Sequence, residues 1–347
     1  MSSTPETASF KNLFVRLMTS RLAEAMVRPF LPPLLPIFML HQFHDPESGR
    51  PGHDPQMVSD NLKYLKKRGY AFLSLDEALD RFNQSVVKRH KAVAFTMDDG
   101  FREQVSTASE IFEANHCPST CFLITDFLDG LSWPWDAQIS FLALATERPA
   151  ISLKSPRFQG HYDSSTLGSK RQTAREFKAI IKFKEPAGVD HLLNELAIET
   201  GVSIPQLPPE GYEPLTWEEA RGLESKGMAF GAHSKSHRIL SSLSEADVWE
   251  EIQGAKTRLG RELDRPSDVF CYPVGLKGHF GDREVELVKQ AGYKAAVSAA
   301  PGYLTPASYS FEKFSLPRFS FPDKTEDFLQ YCSWIEYSKN KLLHREA

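Results

Sequence analysis

The chain has 347 residues, of which 41% are hydrophobic and 25% charged; this is ample material for a sizeable core and an ordinary globular composition. Forty-one basic residues against forty-five acidic ones give a net charge of −4, so nothing in the totals calls for nucleic acid, and a polyanionic partner would need a local site that the totals hide. The four cysteines, Cys117, Cys121, Cys271 and Cys332, stand in neither a CxxC nor a zinc-finger spacing; they exclude a disulfide scaffold and read as small core residues.

Residues 1–30 read as an N-terminal helical extension. The start lacks a compact apolar run followed by a small-residue cleavage site, so a cytoplasmic location is expected. A helix from Phe10 to Phe30 carries Lys11, Arg16, Arg21 and Arg28; it suits packing on the domain or peripheral contact with a membrane surface. LPPLLPIFML, which follows, is ten residues long with three prolines and cannot span a bilayer as a helix.

From residue 31 to 347 no linker divides the chain, and a single domain is expected. Near-continuous apolar runs predict buried strands at 37–40, 92–96, 120–124, 228–232, 268–272 and 294–297. Amphipathic segments fall between them. The run after Asp99 sets Val105, Ala108, Ile111 and Phe112 on one stripe. TWEEARGLESKG carries a capping box, with Thr216 as cap, Glu219 three residues on and Gly227 as stop. Ser244 caps a helix whose buried face is Val248, Ile252, Ala255 and Leu259. A short helix leads to Gly292, and a last one sets Phe328, Cys332 and Ile335 inward. Recurrent strand–helix–strand order implies an α/β architecture, either barrel or open sheet. Residues 131–215 break the rhythm with Trp133, Trp135 and a mixed helical segment; they read as a long insertion of the kind that shapes a cleft.

The chemistry is concentrated at strand ends. In AVAFTMDDG the strand is expected to finish near Thr96, leaving Asp98 and Asp99 on the C-terminal rim where α/β enzymes keep their sites. Adjacent carboxylates repel unless a cation or a proton is shared. A divalent metal resolves this if one binds it and the other stays free as a base; the alternative is a charged turn with Asp-Gly as punctuation. MAFGAHSKSH ends a second strand at His233, with His237 four residues later. Two imidazoles, one carboxylate and a water make a catalytic metal shell with an open position. Such a site suits hydrolysis. No nucleophile elbow, P-loop or dinucleotide fingerprint is present.

These motifs resemble those of the polysaccharide deacetylase family, also called the NodB homology domain. Its TFDDG motif appears as Thr96-Met97-Asp98-Asp99-Gly100, its H-S/T-x-x-x-H motif as His233-Ser234-Lys235-Ser236-His237, and its F-x-Y-P-x-G variant as Phe270-Cys271-Tyr272-Pro273-Val274-Gly275. The similarity runs from about Pro36 to Phe319. Phe127 to Gly130 and the tryptophans after it resemble a branch with a large insertion, found among deacetylases of bacterial surface polysaccharides.

The resemblance implies a distorted (β/α)7-type barrel and removal of an acetyl group, N- or O-linked, from a glycan. It implies Asp98 as base, Asp99, His233 and His237 as ligands of a divalent metal, zinc being expected, and the Val274 N–H as oxyanion donor on a loop shaped by Tyr272 and Pro273. Two features depart from the family. Cys271 stands where many members have an arginine that orients the base, and no L-x-H supplies the usual acid histidine. His279 and Arg318 are the nearest candidates, Arg318 for pairing with Asp98 and His279 as acid, against an exposed loop histidine and a structural salt bridge. His41, and less so His44, follow the first strand and are expected to face the cleft. Trp133 and Trp135 read either as sugar-stacking platforms or as core. Two other readings stand beside the deacetylase: a carbohydrate-binding protein on the same fold with weak or no catalysis, and a related hydrolase of small amides or cyclic imides.

Overall fold

The computed structural model describes residues 15, 17–44, 52–83 and 91–343. Lys11 and Arg16 of the expected first helix lie outside them. The described part of that helix, Arg21–Val27, is followed by a 3-10 turn, Arg28–Phe30. Glu24 faces inward and pairs with Lys91 and Arg68.

Each apolar run noted above becomes a strand. In chain order these and their companions are β1 (Leu35–Leu40), β2 (Ala71–Leu73), β3 (Ala92–Asp99), β4 (Thr120–Leu123), β5 (Ala150–Leu153), β6 (Gly160–Asp163), β7 (Ala229–Ala232), β8 (Val269–Cys271), β9 (Ala295–Val297), β10 (Tyr303–Leu304) and β11 (Phe319–Ser320). The parallel order is β11, β1, β3, β4, β7, β8, β9. Residues 313–320 bridge its two ends: Leu316 pairs with Val297 of β9, and Phe319 pairs with Phe38 of β1. The sheet therefore curls into a distorted β/α barrel. Strands covered on both faces need no alternation of polar residues, which is why β1, β4 and β8 are buried along their full lengths.

Helices connect the strands. Thr216 accepts from the Glu219 N–H at 3.2 Å and Glu219 returns a carboxylate to the Thr216 N–H at 2.8 Å, starting the helix Trp217–Ser225. Ser244 caps Glu245–Trp249. That helix passes through a π turn, Glu250–Gly254, before Ala255–Glu262. The expected terminal helix is two, Thr325–Tyr331 and Trp334–Leu343. Between them the Ser333 hydroxyl bonds the Gln330 carbonyl and receives the Ile335 N–H, a local alternative to helical bonding. Phe328 is buried, whereas Cys332 and Ile335 are half-buried.

The 131–215 segment holds the helices Trp135–Ala145, Leu167–Phe183 and Val189–Thr200 and the hairpin β5–β6. It packs around its own core, in which Trp135, Leu142, Phe177 and Leu192 are buried. The four cysteines are all unpaired thiols. Among the described residues no helix is long and apolar enough to cross a membrane.

Candidate active site

β3 does not stop at Thr96. Its ladder with β4 continues to Asp99, which pairs with Leu123, so both carboxylates leave the strand itself rather than a following turn. The chain then reverses at once: Asp99 and Gly100 have φ of 78° and 85°. Aspartate tolerates the left-handed region better than most residues. At Gly100 a Cβ would also meet the tip of the Leu123 side chain, Cδ2, at 2.7 Å, which a shift of that side chain could relieve, so it is the positive φ that favours glycine.

The histidine loop leaves β7 in the same direction. Ser234 and His237 have φ of 60° and 62°. The Ser234 hydroxyl accepts the His237 N–H at 3.0 Å. Glu251, from the π turn, accepts the Lys235 and Ser236 N–H groups at 3.0 and 2.8 Å and also bonds the Ser236 hydroxyl. Trp135 covers the far side: its indole N–H donates to the His237 carbonyl at 3.0 Å and its ring stacks on the imidazole. Left-handed non-glycine residues cost energy and persist where surroundings over-determine them; these contacts do so here.

The result is convergence. Asp99 Oδ1 lies 3.6 Å from His233 Nε2 and 3.5 Å from His237 Nε2, and the three residues form a group able to hold a metal ion. These gaps are too long for good hydrogen bonds. They match the roughly 3.3 Å between ligand atoms around a tetrahedral ion with bonds of about 2.0–2.1 Å. His233 Nδ1 lies 2.9 Å from the Cys271 carbonyl; since a carbonyl only accepts, Nδ1 carries the proton and Nε2 its lone pair. His237 Nδ1 is buried without a hydrogen-bond partner, with Asp136 Oδ1 3.9 Å away. Burial lowers the pKa of both imidazoles, keeping them neutral as ligands must be. Burial, with the charges of Asp136 and Asp98, pushes Asp99 up to about 7 against the pull of His233. The donor set thus fits a divalent cation.

Asp98 is held differently. Arg318, 1% exposed, donates Nη1 and Nη2 to its two oxygens at 2.8 Å each. The same guanidinium bonds Ser298 O, Thr96 Oγ1 and, at 3.1 Å, Cys271 Sγ. Burial raises the Asp98 pKa, but the Arg318 charge and hydrogen bonds outweigh it and keep the carboxyl well below the usual range. The small Cys271 side chain leaves the place that Arg318 fills from the segment before β11. Asp98, His233 and Cys271 also approach one another closely enough to hold an ion, but Arg318 occupies Asp98 and Cys271, so the Asp99 group is the one open to a cation.

A cleft of about 920 Å³ opens over these groups, lined by His41, Asp98, Asp99, Asp136, Tyr212 and the helix Leu167–Phe183 among others. His41 is exposed to cleft water, yet the protein around it lowers its pKa from the ordinary value while Asp98 pulls it up. Val274 has φ 60°, and among the described residues no acceptor receives its N–H. Tyr272 shapes that loop from beneath, its ring stacked on Phe280 at 3.8 Å and its hydroxyl bonded to the Phe314 carbonyl.

Other sequence candidates are placed elsewhere. His279 is buried rather than exposed; its Nδ1 accepts the Leu276 N–H and its Nε2 lies 2.6 Å from the Lys182 carbonyl. Both ring nitrogens are thereby used in fastening a loop to the insertion, which corrects the acid reading. Trp133 and Trp135 are each 3% exposed. Trp133 donates to the Pro205 carbonyl, so both indoles are core and neither offers a face to a sugar. Asp136 escaped the sequence reading because nothing in WPWDAQ marks it; only the packing of the insertion on the barrel brings it to His237. Burial raises its pKa, but His237, Lys182 and Lys178 outweigh burial and lower it. An Asp136→Asn variant removes the negative charge 3.9 Å from His237 Nδ1 and is expected to weaken metal affinity about tenfold, the low end for a group behind a ligating histidine because no hydrogen bond joins the two; a competitive chelator titration checks it.

The cleft thus lies at the C-terminal strand ends of a β/α barrel, where an Asp-His-His group able to hold a metal ion stands beside a separately held carboxylate. The polysaccharide deacetylase family model matches residues 189–296, a stretch that includes His233, His237 and the 270–275 motif. Asp98 and Asp99 precede it, on the other side of the insertion. Solved structures share the fold. A Streptococcus pyogenes deacetylase, PplD, in complex with acetate, aligns at 19% identity over 87% of this chain and 100% of its own, with a TM-score of 0.58. A Bacillus cereus polysaccharide deacetylase aligns at 15% over 87% and 70%, TM-score 0.53. IcaB from Ammonifex degensii aligns at 14% over 86% and 98%, TM-score 0.52. No curated protein sequence matches the chain. The resemblance read from the motifs and the barrel that it implied are both borne out, and of the two α/β architectures that the strand pattern allowed the sheet takes the barrel.

Proposed function

We propose that the protein is a metal-dependent hydrolase that removes acetyl groups, from nitrogen in the first instance, from a surface polysaccharide or its glycan precursor. The observation that carries this reading is the division of labour between adjacent carboxylates: Asp99 faces His233 and His237, while Asp98 is turned to Arg318 and left out of that group. Asp99, His233 and His237 would hold the cation, and zinc suits two imidazoles and a carboxylate. Such an ion supplies Lewis-acid polarisation and an acidified water. Asp98, kept ionised, accepts the proton of the attacking water. The Val274 N–H, which no acceptor among the described residues receives, is the candidate donor to the developing oxyanion. His41, on the cleft wall within the field of Asp98, is the candidate acid for the leaving amine, in the role that His279 cannot fill with both nitrogens engaged.

The test is acetate release from acetylated oligosaccharides with and without chelator. Acetate that appears only with metal supports the reading. Tight glycan binding without acetate from any substrate would favour the binding-protein alternative. The pH dependence is a further expectation. Asp99 titrates near 7 in the metal-free protein, so below that pH a proton must leave before an ion binds. Metal affinity is expected to fall by about tenfold per unit as pH drops below about 7 and to level off above it; affinity unchanged down to the ordinary carboxylate range would refute the placement of Asp99.

A further inference from the structure

The loop from His233 to His237 has its backbone groups claimed from three sides. The Thr125 and Asp126 N–H groups, at the start of the helix Thr125–Leu128, donate to the Ser234 and Lys235 carbonyls at 3.4 and 2.8 Å. The Trp135 indole donates to the His237 carbonyl. On the third side the Lys235 and Ser236 N–H groups converge on one oxygen, as successive amides do in a small anion-binding concavity. The anion is Glu251. Its Oε2 accepts both amides, at 3.0 and 2.8 Å, and its Oε1 accepts the Ser236 hydroxyl. Glu251 is 7% exposed, on the same inward side as the buried Val248, Ile252 and Ala255. A carboxylate is kept in such a place only where its lone pairs are filled, and the three donors that fill them all come from the histidine loop. The Lys235 ammonium, which pairs with Glu250 at 2.7 Å, also feels the Glu251 charge. Glu251 belongs to the π turn Glu250–Gly254, a widening of the helix found frequently at functional sites. Tyr293 braces that turn from within, its hydroxyl donating to the Ile252 carbonyl at 3.1 Å.

Resting on the metal-dependent reading above, we infer that Glu251 is a positioning residue of the metal centre: it fixes the backbone between the two histidine ligands and thereby sets the affinity for the divalent ion. Among the described residues no hydrogen bond or ion pair joins it to either imidazole, so it acts through the loop. The two histidines depend on that loop unequally. His233 is held by β4 and β8, its N–H on the Leu123 carbonyl and its Nδ1 on the Cys271 carbonyl. His237 Nδ1 has no such partner, and the ring is aimed at Asp99 by the path of the loop and by the Trp135 ring stacked on it. If the Lys235 and Ser236 amides lose their acceptor, that path loosens. The ion must then order it on binding, and the ordering is subtracted from affinity.

Ion affinity tests the inference separately from turnover. Zn²⁺ binding to the full-length, metal-stripped protein is measured by competition with a chromophoric chelator, and urea unfolding is followed on the same protein without metal. Glu251→Ala is expected to weaken Zn²⁺ binding about tenfold. Glu251→Gln is expected to bind Zn²⁺ as the wild type does: its amide oxygen accepts the two N–H groups, and its NH₂ donates to the Ser236 hydroxyl, which turns round to accept. Glu251→Asp keeps the charge but draws the carboxylate back by one methylene, and it is expected to bind as weakly as alanine. Rescue by the neutral isostere and not by the shorter acid is the signature of hydrogen-bonded positioning. The reverse order, aspartate near wild type and glutamine with alanine, would overturn the inference in favour of a simple effect of charge. Unchanged Zn²⁺ affinity in Glu251→Ala beside lowered metal-free stability would overturn it in favour of a structural role. Should Glu251→Ala not fold, glutamine and aspartate carry the same decision between them. A wild-type protein that binds no Zn²⁺ would overturn the metal centre and this inference together. The expected affinities without acetate release from the wild type would count against the deacetylase reading alone.

Discussion

Replacing Asp98 by Asn is expected to cut acetate release by about 10²- to 10⁴-fold while metal content stays at the wild-type level. The magnitude is that of a positioned general base. Retention of metal follows from geometry, because Asp98 Oδ1 and Oδ2 face Arg318 and not the two histidines. Asparagine keeps one acceptor for the guanidinium, so the loop should hold its shape. His233→Ala offers the contrast, since it removes the imidazole whose Nδ1 is fixed by the Cys271 carbonyl, and metal should be lost together with activity. Metal analysis and acetate release on the two purified variants decide the matter. If Asp98→Asn retained full turnover, or lost its metal, the division of roles between the adjacent carboxylates would be wrong.

Arg318→Met is expected to be the most destabilising single change at the site, by about 3–5 kcal/mol, because it leaves the Asp98 charge without its partner. The buried guanidinium serves four groups besides Asp98 Oδ1 and Oδ2 through one rigid fork: Ser298, Thr96, Cys271 and, across its face, the Phe122 ring. Arg318→Lys should rescue only in part, since an ammonium lacks that fork. Two pH signatures separate this from a merely structural defect. With Arg318 present the Asp98 pKa lies below its value of about 3.9 in an unfolded chain, so the pair's stabilisation is present above that pH and is lost as pH falls beneath it. Without Arg318, burial is opposed on Asp98 only by His233 and His41, its pKa rises, and the acidic limb of kcat/KM moves to higher pH. Chemical unfolding and a pH–rate profile measure the two. A variant as stable as wild type with an unmoved acidic limb would mean that Arg318 does not set the state of Asp98.

The electrostatics of the site share one cause. Asp98 and Asp99 are neighbours in sequence but meet different partners, the one a permanent cation and the other a set of neutral imidazoles. Burial acts on both alike. The partner decides that Asp98 stays ionised at any working pH and that Asp99 waits for an ion. Strain is concentrated in the same place, at Asp99, Ser234, His237 and Val274; hydrogen bonds from Ser234 and Glu251 and the indole of Trp135 hold the histidine loop in it.

What lies within one strand or one turn of helix was legible in the sequence: the apolar runs that became β1, β3, β4, β7, β8 and β9, the Thr216 capping box, and the two carboxylates and two histidines at strand ends. These signals are local, because burial on both faces, capping and left-handed turns are written in adjacent residues. The short strands β2, β10 and β11 have too few residues for any period to show, and the β5–β6 hairpin belongs to an insertion whose core is its own. Arg318 illustrates the rest. Its identity was visible, but its bond to Asp98 spans 220 positions and depends on the closing of the barrel between β9 and β1. The approach of Asp136 to His237 and the withdrawal of Trp133 and Trp135 into the core were likewise decided only when the insertion packed on the barrel. Contacts between distant segments depend on how elements stack, and residue order alone does not encode that stacking in any short pattern.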